Sequence, residues 1–262
     1  MKVAEKLVKL VNLCLERNIP FVTYRLPAPD NAIEIWVQRS GKMLFVEDIA
    51  ELNGKSGFVY APFHRLTNFP VVFFEPEFVA GPGQIRDELI NDIASGRPLY
   101  PEYDMAVPGA IGRTEYIEQA RNMIRAFGSG LSKAVLSRVK LLEKPDSFNP
   151  GLFFLDLLHK YTNAFIHLIN IPGAGCWMGS SPEMLFSSNG EEATTFALAG
   201  TRKYTEVVED EWGEKEIEEQ EMVALHIEGV LRNNGISTFL KEGPDTVNAG
   251  NVQHLSTRFS FS

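Results

Sequence analysis

The sequence predicts an α+β fold built on large, mostly antiparallel β-sheets flanked by helices. Three observations lead there. Short runs rich in β-branched and aromatic residues outnumber the helical stretches. Those runs do not alternate strictly with helices, as a doubly wound parallel sheet would require. No repeat, low-complexity tract or evident linker divides the 262 residues, a length able to bury one substantial core or two modest ones.

The first element is an amphipathic helix, with Val3, Leu7, Leu10, Val11, Leu13 and Cys14 in helical register and a stop before Pro20. Lysines and glutamates recur among these residues, so there is no uninterrupted signal-peptide core. Five strand-like runs follow: FVTYRL (21–26), AIEIWVQ (32–38), MLFVED (43–48), GFVYAPF (57–63) and FPVVFFEPEFV (69–79), separated by Pro, Gly and Asn. A helix is expected at 114–130, where Tyr116, Ile117, Ala120, Met123 and Ile124 share a face and Gly128 stops it. LSKAVLSRVKLLE (131–143) then alternates like a strand. A helix at 151–163, strands at 164–170, 175–188 and 192–200, and a helix at 214–235 ended by Gly235 complete the reading.

Composition excludes several functions. At 44% hydrophobic and 23% charged the chain is an ordinary globular sequence. A net charge of −9 argues against sequence-independent nucleic-acid binding, which needs a basic surface. No apolar run approaches membrane-spanning length. Cys14 and Cys176 lie in no metal-ligand pair and cannot staple so long a chain, which makes a reducing cytoplasm the expected compartment.

The candidate sites begin with Lys133. In a strand over 131–143 it shares a face with Val135, Ser137 and Val139, so burial of the valines would carry the lysine inward. The plain alternative is an ammonium that snorkels to water. The preceding Gly128 and Gly130 form a GxG with the wrong context for a phosphate loop, having a helix before and a strand after. His64, His159, His167, His226 and His254 show no metal-ligand spacing, and no GxSxG elbow is present. On the acidic helix, Val223, Ala224, Ile227, Val230 and Leu231 form an apolar stripe opposite Glu214, Glu218, Glu221, Glu228 and Arg232. Glu216 falls on that stripe and Glu219 at its border. Carboxylates on a packed side need a positive partner, and a divalent cation is one; an acidic first turn favoured by the helix dipole is the other reading. Glu183 follows Pro182 and shares a strand face with Leu185, either an inward acid or an edge residue in water. Gly200 ends an apolar strand where a ligand or backbone can approach closely.

Taken together, KAVLSR, GSSPEMLF, FALAGTR, KEIEEQ and NVQHL stand in the order and approximate spacing of chorismate-utilising enzymes. Residues 105–262 resemble that family, which includes isochorismate and salicylate synthases and the synthase subunits for anthranilate and aminodeoxychorismate. Residues 1–104 look like its variable N-terminal part, so the whole chain is expected to form one chorismate-binding-type domain.

The resemblance implies roles residue by residue. Lys133 matches the general base toward the water that attacks C2 of chorismate, a task suited to a desolvated, neutral amine. Glu183 matches the acid that protonates the departing C4 hydroxyl. Glu219 matches a Mg²⁺ ligand and Glu216 its acidic companion; Gly200 and Thr201 match the substrate-lining loop, and His254 a histidine beside the ring. Amine-adding members generally lack the lysine. The implied activity is therefore a Mg²⁺-dependent isochorismate synthase, an isomerase feeding menaquinone or siderophore synthesis, with salicylate synthase as the alternative. No nucleic-acid or membrane partner is implied. Gln220 departs from a histidine common in the family. Family members also continue past VQHL with further carboxylate-binding groups and a second acidic pair. The chain is therefore expected to be incomplete at its C-terminus, with weak chorismate binding and little turnover, or to be a non-catalytic fragment.

Overall fold

The computed structural model describes residues 3–27, 32–40, 43–63, 71–75, 77–97, 109–204 and 211–262. His64 and the start of the run expected at 69–79 lie outside them. The first half contains α1 (Val3–Glu16), β1 (Phe21–Arg25), β2 (Ile33–Val37), β3 (Leu44–Val46), β4 (Phe58–Tyr60), β5 (Val71–Phe74), β6 (Phe78–Ala80) and α2 (Asp87–Ser95). The second contains α3 (Arg113–Ala126), α4 (Pro150–Lys160), β7 (Phe165–Ile171), β8 (Gly175–Ser181), β9 (Phe186–Ser188), β10 (Ala193–Lys203), α5 (Glu214–Asn233), β11 (Leu240–Ala249) and β12 (Val252–Phe261). They fall into two compact units, Met1–Ala106 with Lys144–Ser181 and Val107–Glu143 with Pro182–Ser262.

The first unit is organised by an open sheet in the order β6-β2-β1-β7-β8, antiparallel throughout. Alternation along β1 sends Phe21 to one face and Val22 to the other. Phe21, Ile35, Ile166 and Leu168 pack on Leu7 and Leu10 of α1, Ile90 of α2 and Phe154 of α4. Val22, Ile169 and Ile171 meet Val72 and Phe74 of a second antiparallel sheet, β3-β5-β4. Strands covered on both faces explain the nearly continuous apolar runs of β5 and β7. Each such side chain contributes about 1.5–3 kcal/mol by leaving water. Arg25, 6% exposed, donates Nη1–H to Leu158 O at 2.8 Å and Nη2–H to Tyr161 O, closing the carbonyl end of α4.

The second unit is a four-stranded open antiparallel sheet, β11-β12-β10-β9, with α5 on one face. Ala224 and Leu231 of α5 meet Ala197 of β10 and Phe259 of β12, all buried. Gln220, 4% exposed, donates to Thr257 Oγ1 at 2.6 Å and fixes the helix against β12. α3 buries no residue.

Two strand expectations are corrected. Residues 131–143 form no strand: beyond a single bridge between Phe127 and Leu131 they join no ladder among the described residues. Alternation needs a free neighbouring edge to become a strand, and no described strand pairs with this stretch. Its valines are not buried either, with Val135 81% and Val139 44% exposed. The run expected at 175–188 is also two strands. Pro182 cannot donate to a ladder, and β8 ends just before it. The helix α2 and the hairpin β11–β12 were not expected from the sequence.

Candidate active site

Every residue singled out as a candidate falls in the second unit, and the fold links six of the seven in one run of contacts. The framework is α5. Glu216, Glu219, Gln220, Val223, Ala224, Ile227 and Leu231 are half-buried or buried, whereas Glu214, Glu218, Glu221 and Arg232 are exposed. The apolar stripe thus carries both carboxylates onto the packed side. It departs from the wheel at two places: Val230 is 45% exposed, and Glu228 is half-buried because it accepts from Lys241 Nζ at 2.7 Å.

Lys133 reaches this helix. Its Nζ lies 2.5 Å from Glu219 Oε1, with the two side chains 30% and 34% exposed. The lysine is therefore half-buried and ion-paired, neither sunk in an apolar interior nor simply extended to water. Glu216 is held differently. Its Oε1 is 3.5 Å from Nζ of the exposed Lys215, and its Oε2 lies 2.6 Å from where a Cβ on Gly213 would stand.

Gly200 ties the helix to the sheet. The register of β10 on β12 passes from Ala199↔Leu255 to Thr201↔His254, leaving Gly200 as an extra residue in a bulge. Its φ is +70°, and a Cβ there would meet Glu216 O at 3.0 Å and Glu216 Cβ at 3.2 Å. Only glycine satisfies both conditions without strain. The bulge also turns Gly200 O to within 3.2 Å of His254 Nδ1, which lies 3.1 Å from Thr201 Oγ1. Thr257 and Phe259 face α5, so alternation through β12 directs His254 to the opposite face.

Glu183 is placed otherwise. It is exposed on the connection between β8 and β9, on no strand, and the neighbouring Leu185 is 88% exposed. Of the two readings left open for it, the exposed one is what the structure has, but on a connection and not on a strand: Pro182 releases the chain from β8, and pairing resumes at Phe186. Sequence reasoning also passed over Arg202 and Trp212. The Arg202 guanidinium lies 4.2 Å from the Trp212 ring centroid, and its Nε–H donates to Gln253 Oε1 at 2.9 Å. Trp212 in turn donates Nε1–H to Thr246 Oγ1 at 2.9 Å, so the approach to α5 is fastened to the sheet. The available signal was an arginine directly after the Gly–Thr of the motif.

The donor chemistry suits a hard divalent cation. Glu216 and Glu219 present carboxylate oxygens about one turn apart on one half-buried helix face. Mg²⁺ is commonly held by one or two carboxylates, with water and substrate oxygens completing its shell. Among the described residues no three His, Cys, Asp or Glu side chains gather as a closed metal cage. The pair therefore fits a sparsely held ion.

An open antiparallel α+β scaffold thus sets a lysine–glutamate ion pair and a second carboxylate beside a glycine bulge. The chain belongs to the chorismate binding enzyme family, whose model matches residues 98–260. Isochorismate synthase EntC of Escherichia coli strain K12 is 26% identical over 137 residues, a match covering 49% of this chain and 35% of that protein. The match thus spans about a third of the length of that curated relative. MenF, the menaquinone-specific isochorismate synthase of Escherichia coli, has a similar fold, with TM-score 0.61 at 15% identity over 93% of this chain and 64% of that one. A putative 2,3-dihydroxybenzoate-specific isochorismate synthase, DhbC of Bacillus anthracis, gives TM-score 0.62 at 18% identity, covering 95% of this chain and 70% of that chain.

Proposed function

We propose that this chain carries an isochorismate synthase site that adds water at C2 of chorismate with loss of the C4 hydroxyl, in the presence of Mg²⁺. The observation that carries the reading is Lys133 bonded to Glu219 on the helix face whose Glu216 abuts the Gly200 bulge. That contact joins the proposed base to one of the two proposed metal ligands.

Charge supplies the argument for the metal. Glu219 is met by Lys133 and Glu216 by the exposed Lys215 at 3.5 Å, so this patch has no surplus of positive charge before a dicarboxylate substrate arrives. A dianion settles beside them only if positive charge is added. Glu219 and Glu216 would hold Mg²⁺, whose positive charge would offset that of the substrate and of the group displaced in the substitution. The chain's own residues do the rest. Lys133, once free of its ion pair, takes the proton of the attacking water. Glu183, on the connection between β8 and β9, is the proposed donor of the proton with which the departing hydroxyl leaves as water. One water enters and one leaves, so the product is an isomer. Thr201 and His254 share the sheet face away from α5, so they have no role toward the ring in this scheme.

Prolonged incubation with chorismate and Mg²⁺, followed by chromatography, tests the reading through product identity. Isochorismate as the main product, formed without glutamine, is expected. Salicylate with pyruvate would transfer the assignment to the salicylate synthases. Unchanged chorismate would remove the catalytic assignment.

A further inference from the structure

Lys133 is proposed as a base, yet in the structure its ammonium is bonded to the carboxylate proposed to hold the metal. We propose that Lys133 and the divalent cation compete for Glu219, so that metal loading is what releases the lysine for its work. This rests on the reading above of Glu219 as a metal ligand.

Three observations carry it. The contact is short, 2.5 Å between Lys133 Nζ and Glu219 Oε1, so a cation already sits on this oxygen. The pair is about one-third exposed on each side, which makes it stronger than a fully solvated pair and still open to exchange. Finally, Lys133 lies on a stretch that joins no ladder among the described residues, two positions beyond the bridge of Leu131. No backbone hydrogen bonding of a strand holds it at this place, so the ion pair can break without disturbing a sheet. Among the described residues Glu216 has no comparably close cationic partner: its lysine neighbour is 3.5 Å away on an 83% exposed side chain. Of the two carboxylates, Glu219 is the one with an internal cation to displace.

An ammonium and a divalent ion repel one another when they share a carboxylate. Metal entry therefore costs the ion pair, and deleting the ammonium should strengthen metal binding.

The test is calorimetric titration of the full 262-residue chain with MgCl₂ in the absence of chorismate, beside four variants. Lys133→Gln is expected to bind Mg²⁺ roughly three- to tenfold more tightly, the range for losing a half-exposed ion pair. Lys133→Arg, which keeps the charge, should stay within about twofold of the unaltered chain, as should Lys215→Gln. Glu219→Gln should bind at least about tenfold more weakly. Equal or weaker binding by Lys133→Gln overturns the competition; if Glu219→Gln still loses affinity, the metal assignment survives that result. Should Glu219→Gln bind Mg²⁺ unchanged, Glu219 is not a ligand, and both the competition and the metal part of the functional reading fall.

Discussion

Lys133 illustrates how one side chain can hold two relationships at once. Its position beside Glu219 makes it a cation in a pair, and its proposed chemistry requires it to accept a proton. General-base catalysis by a positioned group contributes on the order of 10²–10⁴ in rate. Lys133→Gln should therefore lower isochorismate formation by roughly a hundredfold or more. Lys140→Gln, on an exposed neighbour, should leave it nearly unchanged; equal losses in a chromatographic assay would return Lys133 to a solvent-reaching residue. Gly200 is constrained by backbone and space together. Gly200→Ala places a Cβ about 3 Å from Glu216 O at a φ that L residues rarely adopt, and should cost about 2 kcal/mol in urea unfolding. His167 gives a pH effect. It stacks on Phe165 with centroids 5.2 Å apart, its Nδ1 is buried without a partner, and burial holds its pKa below the ordinary value. The unfolded chain then binds the proton more readily, so this contribution is fully present above about pH 6.5. It is lost as pH falls from there through the lowered folded value. Urea midpoints measured across that window should fall less steeply on the acid side for His167→Phe.

Among the elements, α4 depends on a distant side chain for its carbonyl end. Arg25→Met removes the donors to Leu158 O and Tyr161 O from a buried position, and should cost roughly 2–4 kcal/mol by denaturant unfolding. A loss under about 0.5 kcal/mol would show that other groups satisfy those carbonyls. Some elements were legible in the sequence because apolar periodicity and stop residues agreed, as in α1 and α5. Others were not. In α2 the apolar signal amounts to Leu89, Ile90 and Ile93 in nine residues, too short to stand out. β11 is largely exposed, polar and interrupted by Gly243 and Pro244, so it lacks the alternation that marks a strand. The stretch 131–143 failed in the opposite sense: it has the alternation without a described neighbour to pair with. The same logic divides the site. Glu216 and Glu219 could be placed on the packed side from helical phase alone, whereas the Lys133–Glu219 contact spans 86 positions and no local pattern encodes it. Glu183 was misplaced because one proline outweighed an otherwise strand-like run.

For the molecule as a whole, the tension is between an acidic protein and the acidic substrate proposed for it. The chain carries a net charge of −9, and the proposed site adds two carboxylates where a dicarboxylate must bind. Lys133 alone does not reverse that balance, and its charge is already committed to Glu219. A family fold explains the shape of the site, but only added positive charge explains how chorismate could stay there. Chorismate binding should therefore be conditional on the metal, and Glu219→Ala should impair it far more than Glu218→Ala, which alters an exposed carboxylate of the same helix. The most direct test is calorimetric titration of chorismate into the chain with Mg²⁺ and again with excess chelator. Binding at least about tenfold tighter with Mg²⁺, and lost in Glu219→Ala, is the predicted result. Equal affinity in the two conditions would contradict the account, because the site would then hold a dianion without the cation its carboxylates demand.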